Sequence, residues 1–406
     1  MGKMYRRYTL LLGMVVKIAN TVVPVKKNTW ILGSFHGRDF REGSKYMLEY
    51  VSKNHPEIDA TFITQSRQTR NKVRALGFNC HMNTSLQGLL KIIRAECVLT
   101  TQDMARDILF VSPKKNRRIY YLMHGQSLKK AFKSLPDNYV YDLINQNQSK
   151  ILRYFSKLYK VLCYNVEIKD LSFISVTSEF LKPFSEKDFG KLCDIKILGS
   201  PRIDVLFNHE MMQQEPWLNE ARGKFVLTYM PTHRKYGEGE ASPNLFDGNK
   251  QVDQWLEQNN AVLLIKNHPN MIPKVVEGAD NKNIVDISKS GIDPQVLLYH
   301  TDVLITDFSS VWIDYLILKR PIIYYLYDDF EKADVGCHYD IREDCVGHLC
   351  QTETELFQLF EQMVQNYDGM RPTDEMVRKF HKYQDGNSCK RHFNEMIKPS
   401  IHEKDN

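Results

Sequence analysis

Short apolar runs alternate with longer segments of mixed polar and apolar character from one end of the chain to the other. In the first half the runs are Trp30-Ile31-Leu32-Gly33, Ala60 to Ile63, Cys97 to Thr100, Ile119 to Met123 and Phe173 to Val176. In the second half they are Phe225 to Tyr229, Val262 to Ile265, Ile284 to Asp286, Val303 to Ile305 and Ile322 to Tyr325. A strand buried on both faces needs continuous rather than alternating hydrophobicity, and strands alternating with helix-length segments build parallel sheets. Gly199-Ser200-Pro201-Arg202 and the polar stretch His209 to Gly223 separate two such series of comparable length. The expected fold is α/β, with two doubly wound, Rossmann-like domains facing a cleft. The pattern divides the chain into residues 1–28, 29–205, 206–371 and a charged, helical segment 372–406 that returns across the first domain.

Asp302 to Tyr327 shows the pattern in a single stretch, DVLITDFSSVWIDYLILKRPIIYYLY. Val303 to Ile305 and Pro321 to Tyr325 are the strands, and a helix fills the interval. Asp and Ser are favoured N-cap residues, so the helix is expected to begin at Ser309 or Ser310. Its free backbone N–H groups and two hydroxyls then stand at the carboxyl end of a strand. That combination suits a phosphate, although Asp307 and the serines would serve equally as plain helix caps.

Ligands of doubly wound sheets bind at the carboxyl ends of the strands, so the polar residues after each apolar run hold the candidate chemistry. His124-Gly125, with Lys129, follows Ile119 to Met123. It offers an imidazole able to accept a proton near neutral pH, a glycine that lets a ligand approach, and a cation for a phosphate. A histidine hydrogen-bonded into a turn is the plainer alternative. Pro231-Thr232-His233-Arg234 follows Phe225 to Met230, with Arg234 supplying a planar fork of donors and Thr232 a hydroxyl. Lys266-Asn267-His268-Pro269 follows Val262 to Ile265. Arg234, His268 and the Asp307 to Ser310 turn are all expected at strand ends of one domain. Their convergence on one crevice favours phosphate binding over unrelated structural roles.

The 406 residues suffice for two domains with a core each. Their 55 basic and 49 acidic side chains leave a formal charge of +6, a mild excess that suits phosphorylated substrates or an anionic membrane surface. It falls short of a nucleic-acid-binding signature, and no nucleic-acid partner is expected. Eight cysteines include no CxxC pair, which argues against a zinc ribbon or disulfide framework and for reduced thiols in a cytoplasmic protein. Cys337, His338, Cys345, His348 and Cys350 cluster without a common metal-ligand spacing. The opening MGKMYRRYTLLLGMVVKIANTVVPVKK has a basic start, an apolar middle and a basic end, with Lys17 and Asn20 interrupting the apolar run. It is too short and broken to span a bilayer and lacks a signal-peptide cleavage site, so an amphipathic helix lying on the membrane surface is expected. Ser149 to Tyr164 repeats the theme. Ile151, Leu152, Phe155, Leu158, Tyr159 and Leu162 fall at helical spacing among Lys150, Arg153, Lys157 and Lys160, which suits either a membrane surface or an ordinary core with a solvated basic face.

The chain holds no Walker loop, no GxGxxG after its first strand, no GxSxG elbow and no DxD pair for a metal-bound nucleotide. Charge on a leaving phosphate therefore falls to Arg234, Lys266, the histidines and a helix N-terminus. No protein-bound metal or cofactor is expected, and a divalent cation would enter only with the donor.

Five motifs stand in order: His124-Gly125 with Lys129; Gly199-Ser200-Pro201-Arg202-Ile203-Asp204; Pro231-Thr232-His233-Arg234; Lys266 with His268-Pro269; and Leu304-Ile305-Thr306-Asp307-Phe308-Ser309-Ser310 with Asp314. Together they resemble the CDP-glycerol glycerophosphotransferases, the teichoic-acid primase and polymerase family, which includes relatives that build glycerol- or ribitol-phosphate capsule polymers. The resemblance covers the chain from about Trp30 to Asp340. It implies a fold of the glycosyltransferase B type, an acceptor-side first domain that includes Gly125 and Lys129, and a CDP-glycerol or CDP-ribitol donor held by the second domain. It also implies a lipid-linked or polysaccharide acceptor reached from the cytoplasmic face of the membrane. By the same likeness His124 is the base that takes the acceptor's proton, with His268 as a second catalytic group. Arg234, Thr232, Lys266, Ser309 and Ser310 hold the donor, and Asp307 shapes the turn. Family members usually carry Arg-Gly where Val335-Gly336 stands here and Asn-Pro where this chain has Gly43-Ser44. The alternatives are a nucleotide-sugar glycosyltransferase or sugar-nucleotide epimerase of the same fold, or a membrane-associated binding module without activity.

Overall fold

The computed structural model describes residues 3–103, 106–134, 158, 161–163, 166–215, 218–232, 246, 249–267, 282–328, 336–344 and 346–398. The chain divides into two units. Unit 1 comprises Met1–His124, Ala131–Asp204 and Asp385–Asn406, and unit 2 comprises Gly125–Lys130 and Val205–Gln384.

Unit 1 is built on a 7-stranded sheet of order β3-β2-β1-β4-β5-β6-β7. The strands are β1 Thr29–Leu32, β2 Asp59–Thr64, β3 Cys80–Met82, β4 Cys97–Thr100, β5 Arg118–Tyr121, β6 Phe173–Val176 and β7 Asp194–Ile197, every neighbouring pair parallel. The order reverses between β1 and β4, and that switch point is where an open α/β sheet leaves a crevice for ligand. Helices Glu42–Asn54, Arg67–Ala75 and Leu86–Arg94 connect consecutive strands. Ser66 and Ser85 start the latter two by accepting from Thr69 N and Gly88 N.

The chain's last described helix, Ser388–Met396, belongs to this unit. Phe393 stacks on His55 with ring centroids 3.5 Å apart and lies 5.5 Å from Trp30, the first core residue of β1. The Asp204 carboxylate accepts from Ser388 N at 2.8 Å and from Cys389 N at 2.6 Å, satisfying two of the backbone donors a helix start leaves unpaired.

Unit 2 has a 6-stranded sheet of order β10-β9-β8-β11-β12-β13. Its strands are β8 Phe225–Met230, β9 Ala261–Ile265, β10 Ile284–Asp286, β11 Val303–Thr306, β12 Ile322–Tyr325 and β13 His348–Cys350, again all parallel. Both faces are buried. Leu227, Leu263, Ile265 and Ile305 join one apolar cluster with Trp255, Leu256 and Phe360, while Val226, Val262 and Leu264 join another with Leu297. The period-2 division explains why these strands read as unbroken apolar runs. The reversal here lies between β8 and β11.

The division departs from the boundaries drawn on the apolar pattern in two places. Gly125–Lys130 belongs to unit 2 because its backbone pairs with residues 336–338: Lys130 N donates to Gly336 O at 3.0 Å and His338 N to Leu128 O at 2.8 Å. The segment from residue 372 is shared, staying with unit 2 as far as Gln384 and joining unit 1 from Asp385.

Candidate functional site

Each sheet presents polar residues at the carboxyl end of its strands, and in each a buried aspartate ties the switch point together. In unit 2 this is Asp307, which follows β11 and has no solvent exposure. Its Oδ1 accepts from Thr232 N, beyond the end of β8, at 2.7 Å. Thr306 Oγ1 donates to Met230 O at 2.7 Å, a second tie between the same two strands. Lys266 continues β9, with its backbone N donating to Tyr229 O at 2.9 Å. Thr232, Lys266, Asp307, Ser309 and Ser310 thus all leave the sheet at one edge, from the ends of β8, β9 and β11. Arg234 and His268 lie outside the described residues.

The helix after Ser310 is shorter than the spacing predicts. It runs only from Val311 to Tyr315, continues as a 3-10 turn Leu316–Leu318, and ends at Lys319 in the left-handed conformation (φ 52°) just before Arg320-Pro321. Ser310 is its N-cap without a side-chain capping bond, and both Ser309 and Ser310 are half-buried. The local anion-binding capacity therefore rests on the two hydroxyls and adjacent N–H groups more than on a long aligned helix.

Gly125 and Lys129 stand in unit 2, not with the acceptor-side domain in which the resemblance put them. A Cβ at Gly125 would lie 2.6 Å from Ser310 Oγ, so only glycine allows this approach without moving the hydroxyl. Lys129 is half-buried and pairs with Cys337 in an isolated antiparallel bridge.

In unit 1 His124 follows β5 after a sharp turn, Met123 being left-handed (φ 57°). His124 as a residue reaches the surface, while its ring is crowded by the surrounding protein and lies beside the backbone of Thr101 at the end of β4. The buried Arg202, from the Gly199 to Asp204 motif, donates to His124 O and fixes the backbone. Loss of bulk hydration lowers the His124 pKa and the Arg202 charge lowers it further, while Asp107 and the Thr101 backbone oppose. The second switch-point aspartate is Asp107, 2% exposed. Its carboxylate accepts from His36 N at 2.7 Å beyond β1, and from Thr101 N and Gln102 N, each at 2.8 Å, beyond β4. Burial raises its pKa against these three backbone donors.

Asp107 and the placement of Arg202 were not singled out by the apolar pattern. Asp107 sits in a connection without strand or helix periodicity, and Arg202 in a stretch that reads as a break between domains. The signal for the second was the motif itself. Among the described residues no three His, Cys, Asp or Glu side chains gather into a group suited to a metal ion.

Two parallel α/β units of this kind define the glycosyltransferase B class of fold. A family model for CDP-glycerol:poly(glycerophosphate) glycerophosphotransferase matches residues 15–398, and the chain belongs to that family. The teichoic acid ribitol-phosphate polymerase TarL of Staphylococcus aureus is 31% identical over 225 residues, 53% of this chain and 39% of that protein. The teichoic acid poly(glycerol phosphate) polymerase of Bacillus spizizenii is 24% identical over 416 residues, 98% of this chain and 99% of that protein. The chain thus spans well under half of the first relative and nearly all of the second. Among solved structures, the wall teichoic acid polymerase TagF superposes with a TM-score of 0.74 at 20% identity, covering 100% of this chain and 99% of the other, which establishes the fold.

Proposed function

We propose that this protein transfers glycerol phosphate or ribitol phosphate from a CDP-linked donor to a hydroxyl of a membrane-linked or capsular acceptor and releases CMP. The observation that carries the reading is the family match over residues 15–398. The arrangement of polar groups at the two switch points supports it. His124, neutral at pH 7 because its pKa is lowered, takes the proton of the acceptor hydroxyl. The oxygen attacks the distal phosphorus of the donor, the bond from that phosphorus to the bridging oxygen breaks, and CMP departs with the electron pair. Ser309, Ser310, Thr232 and Lys266 hold the pyrophosphate, with Arg234 and His268 in the roles the resemblance implies, and Asp307 keeps their strand ends in register.

The acceptor is reached at a membrane surface. Helix Lys3–Val22 buries Thr9, Val16 and Asn20 and exposes Tyr8, Leu11, Val15, Ile18 and Val22 along its opposite side. No acidic residue precedes Asp39, whereas Lys17, Lys26 and Lys27 are exposed. An apolar stripe flanked only by cations suits anionic lipid. No described helix is long and apolar enough to cross a membrane.

The test is CMP release from CDP-glycerol and CDP-ribitol in parallel, with and without an acceptor extract, for the wild type and His124→Ala. Acceptor-dependent CMP from one donor, abolished in the variant, supports the reading. Release of a nucleoside diphosphate from a sugar nucleotide instead would overturn it. Co-sedimentation with anionic but not neutral vesicles is expected, and failure to pellet at low salt sinks the membrane part alone.

A further inference from the structure

We propose that Asp204 is a positioning residue for His124: by capping the helix Ser388–Met396 it fixes the turn that carries Arg202, and Arg202 holds the His124 backbone. The inference rests on His124 being the base of the proposed transfer.

Each link is a hydrogen bond within unit 1. The 3-10 helix Pro201–Phe207 carries both Arg202 and Asp204. Arg202, 6% exposed, donates from its guanidinium to His124 O. Two residues on, Asp204 accepts from Ser388 N at 2.8 Å through Oδ1 and from Cys389 N at 2.6 Å through Oδ2. The stretch leading into the turn is tied to the same helix. Arg391 Nε donates to Leu198 O at 2.9 Å, and Gly199, left-handed at φ 85°, lies so close that a Cβ there would come 2.3 Å from Ser388 Oγ. Residues 198–204 and the helix start therefore form one piece, from which the Arg202 guanidinium reaches His124. The cap and the Arg202 contact are both charge-assisted hydrogen bonds, stronger than neutral ones.

The place of His124 in the chain explains why its backbone needs this hold. The pairing of β5 with β4 extends to Leu122 N, which donates to Thr100 O at 2.8 Å, and Met123 then turns left-handed. His124 is the last residue of unit 1 at this point, and Gly125 belongs to unit 2. Asp204 is likewise the last residue of unit 1 before the chain crosses again, and Asp385 is the first after it returns. Arg391 Nη1 donates to both Asp385 oxygens, at 2.9 and 2.8 Å. Arg202, Asp204 and Arg391 thus tie down three of the points where the chain leaves or enters unit 1, and the base stands at one of them. A displacement of about 1 Å at a reacting group can cost about 100-fold in rate. The charged and titratable groups around the helix start are Glu49, Tyr50, Cys389 and Arg391, and those acting on His124 are Arg202 and Asp107.

The experiment follows the acid limb of kcat/KM for acceptor-dependent CMP release by the full chain, with CDP-glycerol or CDP-ribitol and an acceptor extract. It compares wild type, Asp204→Ala and the milder Asp204→Asn, which keeps one acceptor oxygen. The sign discriminates. Removing an anion acts directly on a histidine only to lower its pKa, whereas releasing Arg202 from its place raises it. The limb should therefore move to higher pH in Asp204→Ala and by less in Asp204→Asn. The turnover number of Asp204→Ala should fall roughly 10- to 100-fold, with the KM for the donor little changed. Adding Asp204→Ala to Arg202→Gln should raise the limb no further. If Asp204→Ala does not fold, Asp204→Asn carries the test. A limb that stays in place or moves to lower pH in a folded Asp204 variant would overturn the proposal, as would a further rise in the double variant. Retained transfer in His124→Ala would instead defeat the assignment of the base, so the two failures are distinguishable.

Discussion

A methyl group added to Gly125 would meet the Ser310 hydroxyl at 2.6 Å, which places the backbone just beyond His124 in direct apposition to the N-cap of the helix after β11. Ser310 Oγ turns on a single torsion, so the fold should absorb Gly125→Ala at a cost below about 1 kcal/mol. The hydroxyl, however, must leave its place. Gly125→Ala is therefore expected to raise the KM for the CDP-linked donor about as much as Ser310→Ala does, and the double variant should be no worse than either. Steady-state kinetics on the three variants would check this, and additive losses would mean that glycine is needed there for some reason other than the serine.

Asp307 is expected to act through its shape as an acceptor as much as through its charge. Asp307→Ala leaves Thr232 N buried without its 2.7 Å partner, at a cost of about 1–3 kcal/mol. Asp307→Asn retains an acceptor oxygen and should recover much of that stability. Denaturant unfolding of both variants decides the point, because equal losses would show that the carboxylate charge matters.

The inner strands and one edge strand were legible in the sequence, several to the residue: Cys97–Thr100, Phe173–Val176 and the edge strand Ile284–Asp286 stand where their apolar runs do. Three strands escaped, β3, β7 and β13, and all lie at sheet edges. An edge strand packs against one neighbour only, and these are three or four residues long with polar positions such as His81, Lys196 and His348. Thr232, Lys266 and Asp307, singled out because they follow apolar runs, do stand just beyond the ends of β8, β9 and β11. What stayed hidden depends on contacts distant in sequence. Nothing local tells that Leu128 and Lys130 pair with residues near Gly336, that Arg202 reaches the His124 carbonyl, or that Asp107 closes the β1–β4 switch point.

The lowered pKa of His124 fixes the sign of the pH dependence. The ring accepts a proton only when neutral, so kcat/KM should be flat above the ordinary histidine value of 6.5 and fall as pH drops through the depressed one. Arg202→Gln removes a charge that pushes the pKa down while leaving a donor for His124 O. The acid limb should then move to higher pH. A limb that stays in place would mean that another group controls it.

His392 makes a prediction about stability rather than rate. Its ring is wholly buried in helix Ser388–Met396, with Nδ1 2.8 Å from Ser388 O and Nε2 without a hydrogen-bond partner. Burial pushes its pKa from 6.5 down to about 4. Between those values the unfolded chain binds a proton that the folded one refuses, so its contribution is complete above pH 6.5 and is lost as pH falls toward 4. The difference amounts to roughly 3 kcal/mol. His392→Gln keeps an amide donor for Ser388 O and removes the titration. Urea unfolding at pH 7.5, 6 and 5 should show a shallower decline for the variant. His36, His81, His124, His300 and His381 also have lowered pKa values and contribute with the same sign in both proteins, so the difference between the two slopes isolates His392. Parallel slopes would mean that the helix opens before the ring protonates, and that Asp204, whose carboxylate holds the start of this helix, is the group to replace next.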